Sequence, residues 1–286
     1  MMRSRKIVKM VPVMVIMALC LLTATGCGNH SEKEGHSRVI IAGSTSVQPY
    51  AELLEEAFAV YAENTLLYKC TIDIQGGGSA AGLTAAETGV ADIGMSSREL
   101  RETEKEQLPY LFEIAKDGLA IIVHPSNPVA DLTTNQLRMI YTQETKNWSE
   151  LGGNDAAIHV ITREDGSGTR SAFEELVMGK AEGIHPKAIV QNSNGAVRLL
   201  VSDDPNAIGF ISLGLIEAHE GQKEVKPLKL EGIGAIPENV KNGTYQLSRP
   251  FIFAVKTEPA GVSMDFIDFI FSPAGKMILA EEGLIV

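Results

Sequence analysis

The chain holds little that would build a disulfide frame, a metal centre or a grip on a polyanion. Only three of its 286 residues are cysteines, Cys20, Cys27 and Cys70. The first two fall in an N-terminal segment read below as processed or modified, so Cys70 stands alone and no internal disulfide is expected. Its setting, Tyr68-Lys69-Cys70-Thr71-Ile72, suits a packed residue better than a reactive thiol. The histidines (His30, His36, His124, His159, His185 and His219) are scattered without metal-ligand spacing, so neither a metal nor another cofactor is expected. Positive charge is short as well: 25 Lys and Arg against 36 Asp and Glu leave −11, which argues against a nucleic-acid partner. The nucleotide loop Gly-x-x-x-x-Gly-Lys-Ser/Thr is missing, because Gly179-Lys180 runs into Ala181 and Gly275-Lys276 into Met277. Gly-x-Ser-x-Gly is missing too, and no Ser-His-acid set is legible, so hydrolysis is not expected. One partial dinucleotide loop exists, Gly76-Gly77-Gly78-Ser79-Ala80-Ala81. Its acidic partner would fall near Glu102, in a polar helical run instead of at a strand end, which leaves a nucleotide-binding enzyme as the weak alternative.

Long apolar runs are also lacking. The longest, Met10 to Leu22, has about 13 residues where a membrane span needs roughly 20. It follows a basic stretch with Arg3, Arg5, Lys6 and Lys9, the pattern of an export signal. Thr23-Ala24-Thr25-Gly26-Cys27 then resembles a bacterial lipobox, with Ala24 where Leu is usual. The expectation is cleavage after residue 26 and a lipid (diacylglycerol and palmitate) on Cys27, which holds the protein on the extracytoplasmic face of the cell membrane. Loss of residues 1–26 removes four positive charges and no negative ones, taking the chain from −11 to −15. Residues 27–37 are polar and patternless and read as a tether.

What is present is an ordinary globular composition, 44% hydrophobic and 21% charged, with alternating strand and helix signals. Arg38–Ala42, Thr71–Gln75 and Ala91–Met95 read as short strands, and Pro49–Tyr61 and Ser79–Thr88 as helices. Leu119–Val123 and Phe251–Val255 are apolar strands far apart in sequence, and Val262–Ala280 is a closing helical stretch. The alternation predicts an α/β fold with largely parallel sheets. If the two apolar strands are neighbours, the chain leaves one lobe near 118 and returns near 250. That divides the protein into a signal (1–26), a tether (27–37), a first lobe in two pieces (38–117 and 251–286) and a second lobe (118–250). A single continuous sheet is the simpler alternative.

Three segments repeat one arrangement: a short strand, then Gly with Ser or Thr, then a helix. They are Gly43-Ser44-Thr45-Ser46, Gly76-Gly77-Gly78-Ser79 and Asp165-Gly166-Ser167-Gly168-Thr169-Arg170. A helix start presents N–H groups without intrahelical partners and partial positive charge, and Ser or Thr hydroxyls add donors. Each turn alone is an ordinary cap. Three meeting at one point would surround a tetrahedral oxyanion. Arg98 and Arg163 stand beside such segments, and a guanidinium fork matches two oxygens of such an anion. Arg170, one turn into its helix, is expected in a surface ion pair.

Gly43-Ser44-Thr45-Ser46-Val47-Gln48-Pro49, Gln75-Gly76-Gly77-Gly78-Ser79, Ser96-Ser97-Arg98-Glu99-Leu100 and Arg163-Glu164-Asp165-Gly166-Ser167-Gly168-Thr169, in that order, resemble the phosphate-binding proteins of Pst-type ABC importers. Tyr141 through Asn147-Trp148 to Gly152-Gly153, and Asn192-Ser193-Asn194-Gly195-Ala196, extend the likeness over roughly residues 38–286. The resemblance implies a type II periplasmic-binding-protein fold, two α/β lobes joined by a hinge with the ligand cleft between them. It implies capture of inorganic phosphate by a monomer, for an importer of two permease and two ATPase subunits. Another tetrahedral oxyanion, sulfate or molybdate, is the nearest alternative. Carried over, Thr45 donates to phosphate with Ser44 and Ser46 alongside, and Ser79 donates from the second turn. Arg163 pairs with the phosphate, held by Asp165, while Ser167, Gly168 and Thr169 bind from the second lobe. Better-known relatives have an acidic proton acceptor where Ser97 and Arg98 stand here, so Asp117 is the replacement expected.

Overall fold

The computed structural model describes residues 37–179, 183–216 and 224–286. The signal, most of the tether and Cys27 lie outside them. In chain order the elements begin with β1 (Ser37–Gly43), α1 (Gln48–Tyr61, prolonged by a wider turn over Ala62–Leu66), β2 (Cys70–Gly76), α2 (Ser79–Thr88) and β3 (Ile93–Ser96). They continue with α3 (Glu102–Gln107), β4 (Tyr110–Val123), β5 (Asp131–Leu132), α4 (Thr134–Tyr141), β6 (His159–Arg163) and α5 (Gly168–Phe173, prolonged over Glu174–Met178). Then follow β7 (Ile189–Gln191), α6 (Asn194–Asp203), β8 (Ala207–Ser212), β9 (Lys226–Pro227), β10 (Lys229–Leu230) and α7 (Pro237–Lys241). The chain closes with β11 (Ser248–Val255), α8 (Val262–Phe271) and α9 (Pro273–Glu281). The closing helical stretch is thus two helices. Pro273 disfavours helical geometry at Ser272, which stands at ψ 163, ends α8 and caps α9 through its hydroxyl.

Among the described residues, nine strands form one hydrogen-bonded path, β2-β1-β3-β11-β4-β8-β6-β7 with β9 on β4, and β5 and β10 pair in a separate two-stranded sheet. Its two flanks are parallel, β1 with β2 and β3, and β6 with β7 and β8. Its middle is antiparallel, where β11 pairs with β3 and β4, and β4 with β8. Within the main sheet the parallel pairing expected from the βα alternation is therefore confined to the flanks. The middle strands connect the two flanks directly, and such crossings need no helix between them.

Leu119–Val123 and Phe251–Val255 do not pair with each other: the first is the second half of β4, and the second, in β11, pairs with the first half. The first half of β4, Tyr110–Gly118, carries β11, whereas its second half, Leu119–Val123, pairs with β8. The apolar interior divides at the same point. One core gathers Val39 through Ala115 and Phe251 through Leu284, built round Phe58, Phe253 and Phe266. The other lies within 119–247, built round Tyr141, Trp148, Phe173 and Phe210. Gly118 occupies the crossing, where a Cβ would come within 2.8 Å of Leu213 and 2.9 Å of Val240. Close packing at this point needs a residue without a side chain.

Candidate functional site

The first turn leaves β1 at Gly43 (φ 143), whose Cα faces the Met95 backbone of β3. Ser44 is spent inside the turn, its Oγ accepting from the Ser46 N–H at 3.1 Å. The hydroxyls of Thr45 and Ser46 point instead toward residues of the other segments. The second turn, with positive φ at Gly77 and Gly78, is tied to the first by Gly78 N–H to Gly43 C=O at 2.9 Å and starts α2 at Ser79. Ser79 Oγ accepts from the Ser97 N–H at 3.1 Å and lies 3.4 Å from Ser97 Oγ. The third turn caps α5 through Ser167, whose Oγ accepts from the Arg170 N–H at 3.2 Å.

These three turns meet. Ala80 N–H donates to Gly166 C=O at 3.0 Å, and Ser46 Oγ is 2.9 Å from Thr169 Oγ1. A Cβ on Gly168 would lie 2.7 Å from Ser97 Oγ and closer still to Ser79 Oγ. Ser44, Ser46, Ser79, Ser97, Ser167 and Thr169 are all buried. This gathering of hydroxyls from 44–46, 79, 97 and 167–169 is the convergence that the sequence predicts.

Two guanidiniums enter the cluster. Arg163, at the end of β6 and 1% exposed, donates through Nη2 to Thr45 Oγ1 at 3.2 Å, and its Nη1 has no hydrogen-bond partner. Its counter-ion is Glu164, held at 2.8 and 2.9 Å, and not Asp165. Asp165 is 95% exposed and pairs with Arg170 at 2.6 Å, so the expected Asp165 role is corrected. At the end of β6 alternate side chains point to opposite sides; Arg163 is turned into the cluster, and the flexible Glu164 side chain folds back along its guanidinium. Arg170 forms the expected ion pairs, with Asp165 and with Glu174 at 2.9 Å.

The second guanidinium belongs to Arg249 on β11. It faces Asp117 across the antiparallel pair and donates to Asp117 Oδ2 from Nε at 3.1 Å and from Nη2 at 2.9 Å. The same Nη2 reaches Ser46 Oγ at 3.0 Å, and Nη1 reaches Ser97 Oγ at 3.4 Å. Asn194, at the start of α6, donates its amide to Thr45 Oγ1 at 3.2 Å and to Ser46 Oγ at 2.9 Å. Its amide orientation is fixed by Ser212 N–H, which donates to Asn194 Oδ1 at 3.2 Å.

Arg98 does not belong to this set. Both its terminal nitrogens bind Glu104 at 2.7 Å, and Nη1 also donates to the Glu99 carbonyl. Burial would raise the Glu104 carboxyl, but the hydrogen bonds and charge of Arg98 outweigh it and hold that group low. The guanidinium is thereby committed to the start of α3, which corrects the expectation that it contacts ligand.

Asp117 lies at the floor of the cluster, fully buried beside Arg249, with Oδ1 lacking a hydrogen-bond partner. Burial raises its carboxyl, and the Arg249 charge pulls the other way. Ser212 and the Leu213 amide also face this carboxylate. Burial lowers Arg249 in turn, against the Asp117 charge, with Arg163 adding a like-charge push. Arg249, Asn194 and Glu164 are the members that sequence reasoning missed. Asn194 stood within the Asn192–Ala196 motif without a role. Arg249 carried its own signal, a lone arginine entering the buried strand Phe251–Val255, where a charge is stable only if paired.

A buried cluster of donors drawn from elements of two packed cores suits a ligand-binding protein, and a model of the PBP superfamily domain matches residues 30–274. The phosphate-binding protein PstS of Borreliella burgdorferi is 30% identical, over 95% of this chain and 98% of its own length. A Clostridium perfringens protein, described as a phosphate ABC transporter substrate-binding protein and solved with bound phosphate, is 45% identical with a TM-score of 0.80. An ABC-type phosphate transport receptor of Vibrio cholerae is 39% identical with a TM-score of 0.69. Each of these two structures covers 87% of this chain and 99% of its own. The chain therefore belongs to the PBP superfamily and, within it, to the family of PstS phosphate-binding proteins.

Proposed function

We propose that this protein captures inorganic phosphate outside the cytoplasm and delivers it to an ABC importer. The observation that carries the reading is the buried meeting point of Thr45, Ser46, Ser79, Ser97, Thr169 and Asn194 with the guanidiniums of Arg163 and Arg249. Such a set offers short, directed donors to a small multivalent anion. Charge-assisted hydrogen bonds contribute about 1.5–3 kcal/mol each, so several are needed to offset desolvation of the anion and closure of the lobes.

In this reading Thr45, Ser46, Ser79, Ser97, Gly168, Thr169, Asn194, Arg163 and Arg249 line the anion, with Ser44 and Ser167 shaping their turns. Asp117 supplies the acceptor for the proton of bound phosphate, which sulfate lacks at neutral pH. In support, one of its oxygens lacks a hydrogen-bond partner while the other binds Arg249. The lobes would run 38–117 with 251–286, and 118–250, in keeping with two cores whose members change sides near 118 and 250. Cleavage after residue 26 and a lipid on Cys27 would anchor a monomer to the outer face of the cell membrane. The importer would comprise two permease and two ATPase subunits. The protein binds and does not turn over its ligand.

The test is calorimetric titration of the 38–286 fragment with phosphate, arsenate and sulfate, with a chromogenic phosphomonoester as an arm for turnover. Phosphate is expected to bind at micromolar affinity or tighter, roughly −8 kcal/mol or better, with the ester left intact. In the same titration Asp117→Asn should narrow the preference for phosphate over sulfate. Absence of heat with phosphate, or preferred binding of sulfate, would overturn the assignment.

A further inference from the structure

Beside the Arg249–Asp117 pair, three buried oxygens have no hydrogen-bond partner among the described residues: Tyr50 OH, Ser212 Oγ and Asp117 Oδ1. They come from three different elements. Tyr50 stands on α1, one turn after Thr45 and Ser46; Ser212 ends β8; Asp117 sits on β4 beside the crossing at Gly118. They come from one region, since Ser212 stands opposite Leu119 across β8 and β4, a Cβ on Gly118 would lie 2.8 Å from Leu213, and a Cβ on Gly214 would meet the Tyr50 hydroxyl. Tyr50 is fixed in place by its ring, which packs 5.8 Å from Phe251, and by Gly214, where a Cβ would run into its hydroxyl. An orphaned buried polar group is uncommon and costly, so three in one region call for a physical reason.

We infer that the hydroxyls of Tyr50 and Ser212 form a relay that positions Asp117, and through it Arg249, for phosphate. This rests on the phosphate reading above. The order of the relay follows from donor counting. An ionised Asp117 only accepts, so the single Ser212 proton points to Asp117 and the single Tyr50 proton points to Ser212. The phenol is kept protonated for this purpose, because burial and the nearby carboxylate both raise it. Asp117 then turns Oδ2 toward Nε and Nη2 of Arg249, while Oδ1 takes the Ser212 proton on one lone pair and keeps the other for the proton of phosphate. That fixes the direction in which the guanidinium meets Ser46 and Ser97. Ser212 serves a second member of the site as well, since its backbone N–H sets the Asn194 amide. One residue of β8 thus orients donors that come from both sides of the crossing.

The test is phosphate titration of the wild type, Tyr50→Phe, Ser212→Ala, Ser212→Thr and the double variant Tyr50→Phe/Ser212→Ala, each with its ligand-free melting temperature. Tyr50→Phe removes one oxygen and keeps the packing. It is expected to weaken phosphate about three- to tenfold, the scale of one neutral hydrogen bond. Ser212→Ala should weaken binding about tenfold, Ser212→Thr should restore most of that, and the double variant should bind within about twofold of Ser212→Ala. Wild-type affinity in Tyr50→Phe, or losses that multiply in the double variant, would overturn the relay. A fall in melting temperature with affinity unchanged would overturn it too, because that is packing alone. A wild type that gives no heat with phosphate would sink the phosphate reading and the relay's role in it together. A normal wild type with unaltered Tyr50→Phe sinks the relay alone.

Discussion

Arg249 and Asp117 face each other across β11 and β4 with side chains 2% and 0% exposed, and such a pair is costly to bury. Its presence is best explained by what the guanidinium does at Ser46 and Ser97. The cost is visible in titration. Burial lifts the Asp117 carboxyl above its unfolded value of 3.8 despite Arg249. A group that holds its proton more tightly when folded contributes fully below the unfolded value, and the contribution is lost as pH rises through the folded one. The ligand-free wild type should therefore lose stability relative to Asp117→Asn as pH climbs above 3.8, read from urea midpoints at matched pH. A difference that stays flat from about pH 4 to about pH 8 would show that the carboxyl is not raised. At this scale the sequence disclosed residue types but not partners. Arg163 and Asp117 were legible as candidates, whereas Glu164 and Asp165, adjacent and alike in charge, could be sorted only by where each side chain is turned.

The turns were the most legible elements, because glycine and hydroxyl residues at a strand-to-helix junction have few other uses. Their mutual arrangement was not, since it depends on how α2 and α5 meet from opposite sides of the cleft. Gly168 is the closest point of that meeting. In Gly168→Ala the new methyl would press on Ser79 and Ser97, so the two turns must separate. Affinity for phosphate is expected to fall at least about a hundredfold, equal to about 2.7 kcal/mol, as several donors lose their alignment together. The melting temperature without phosphate should change little, because neither core is touched; calorimetry beside a thermal melt checks both. The middle of the sheet was less legible. Tyr110–Gly118 exposes Tyr110 and Leu111 and buries Asp117, so its residue types carry no strand alternation and only the second half of β4 is legible in the sequence. The Ser272-Pro273 break was likewise hidden beneath a continuous apolar period, although proline itself gave the warning.

For the whole molecule, a net charge of −11 sits oddly with capture of an anion until distance is considered. Surface carboxylates are screened over ~8 Å at physiological salt, whereas the donors of the cleft act at contact. Binding that engages both lobes should stabilise the fold as a unit. At a phosphate concentration of about 100 Kd the gain is about 2.7 kcal/mol, which corresponds to roughly 5–10 °C in melting temperature for a chain of this size. Sulfate at the same concentration should leave the melting temperature almost unmoved, and an equal shift with both anions would contradict selective capture. The 14 residues of β4 add a mechanical consequence. Because one uninterrupted strand serves both sides, a swing of one lobe against the other has no slack loop to absorb it and must twist the backbone near Gly118. The carboxylate that steers Arg249 is the residue just before that twist point. Opening would then re-aim the guanidinium while hardly displacing it, so the grip on the anion would be released by a change of angle, as a key releases a lock by turning in place.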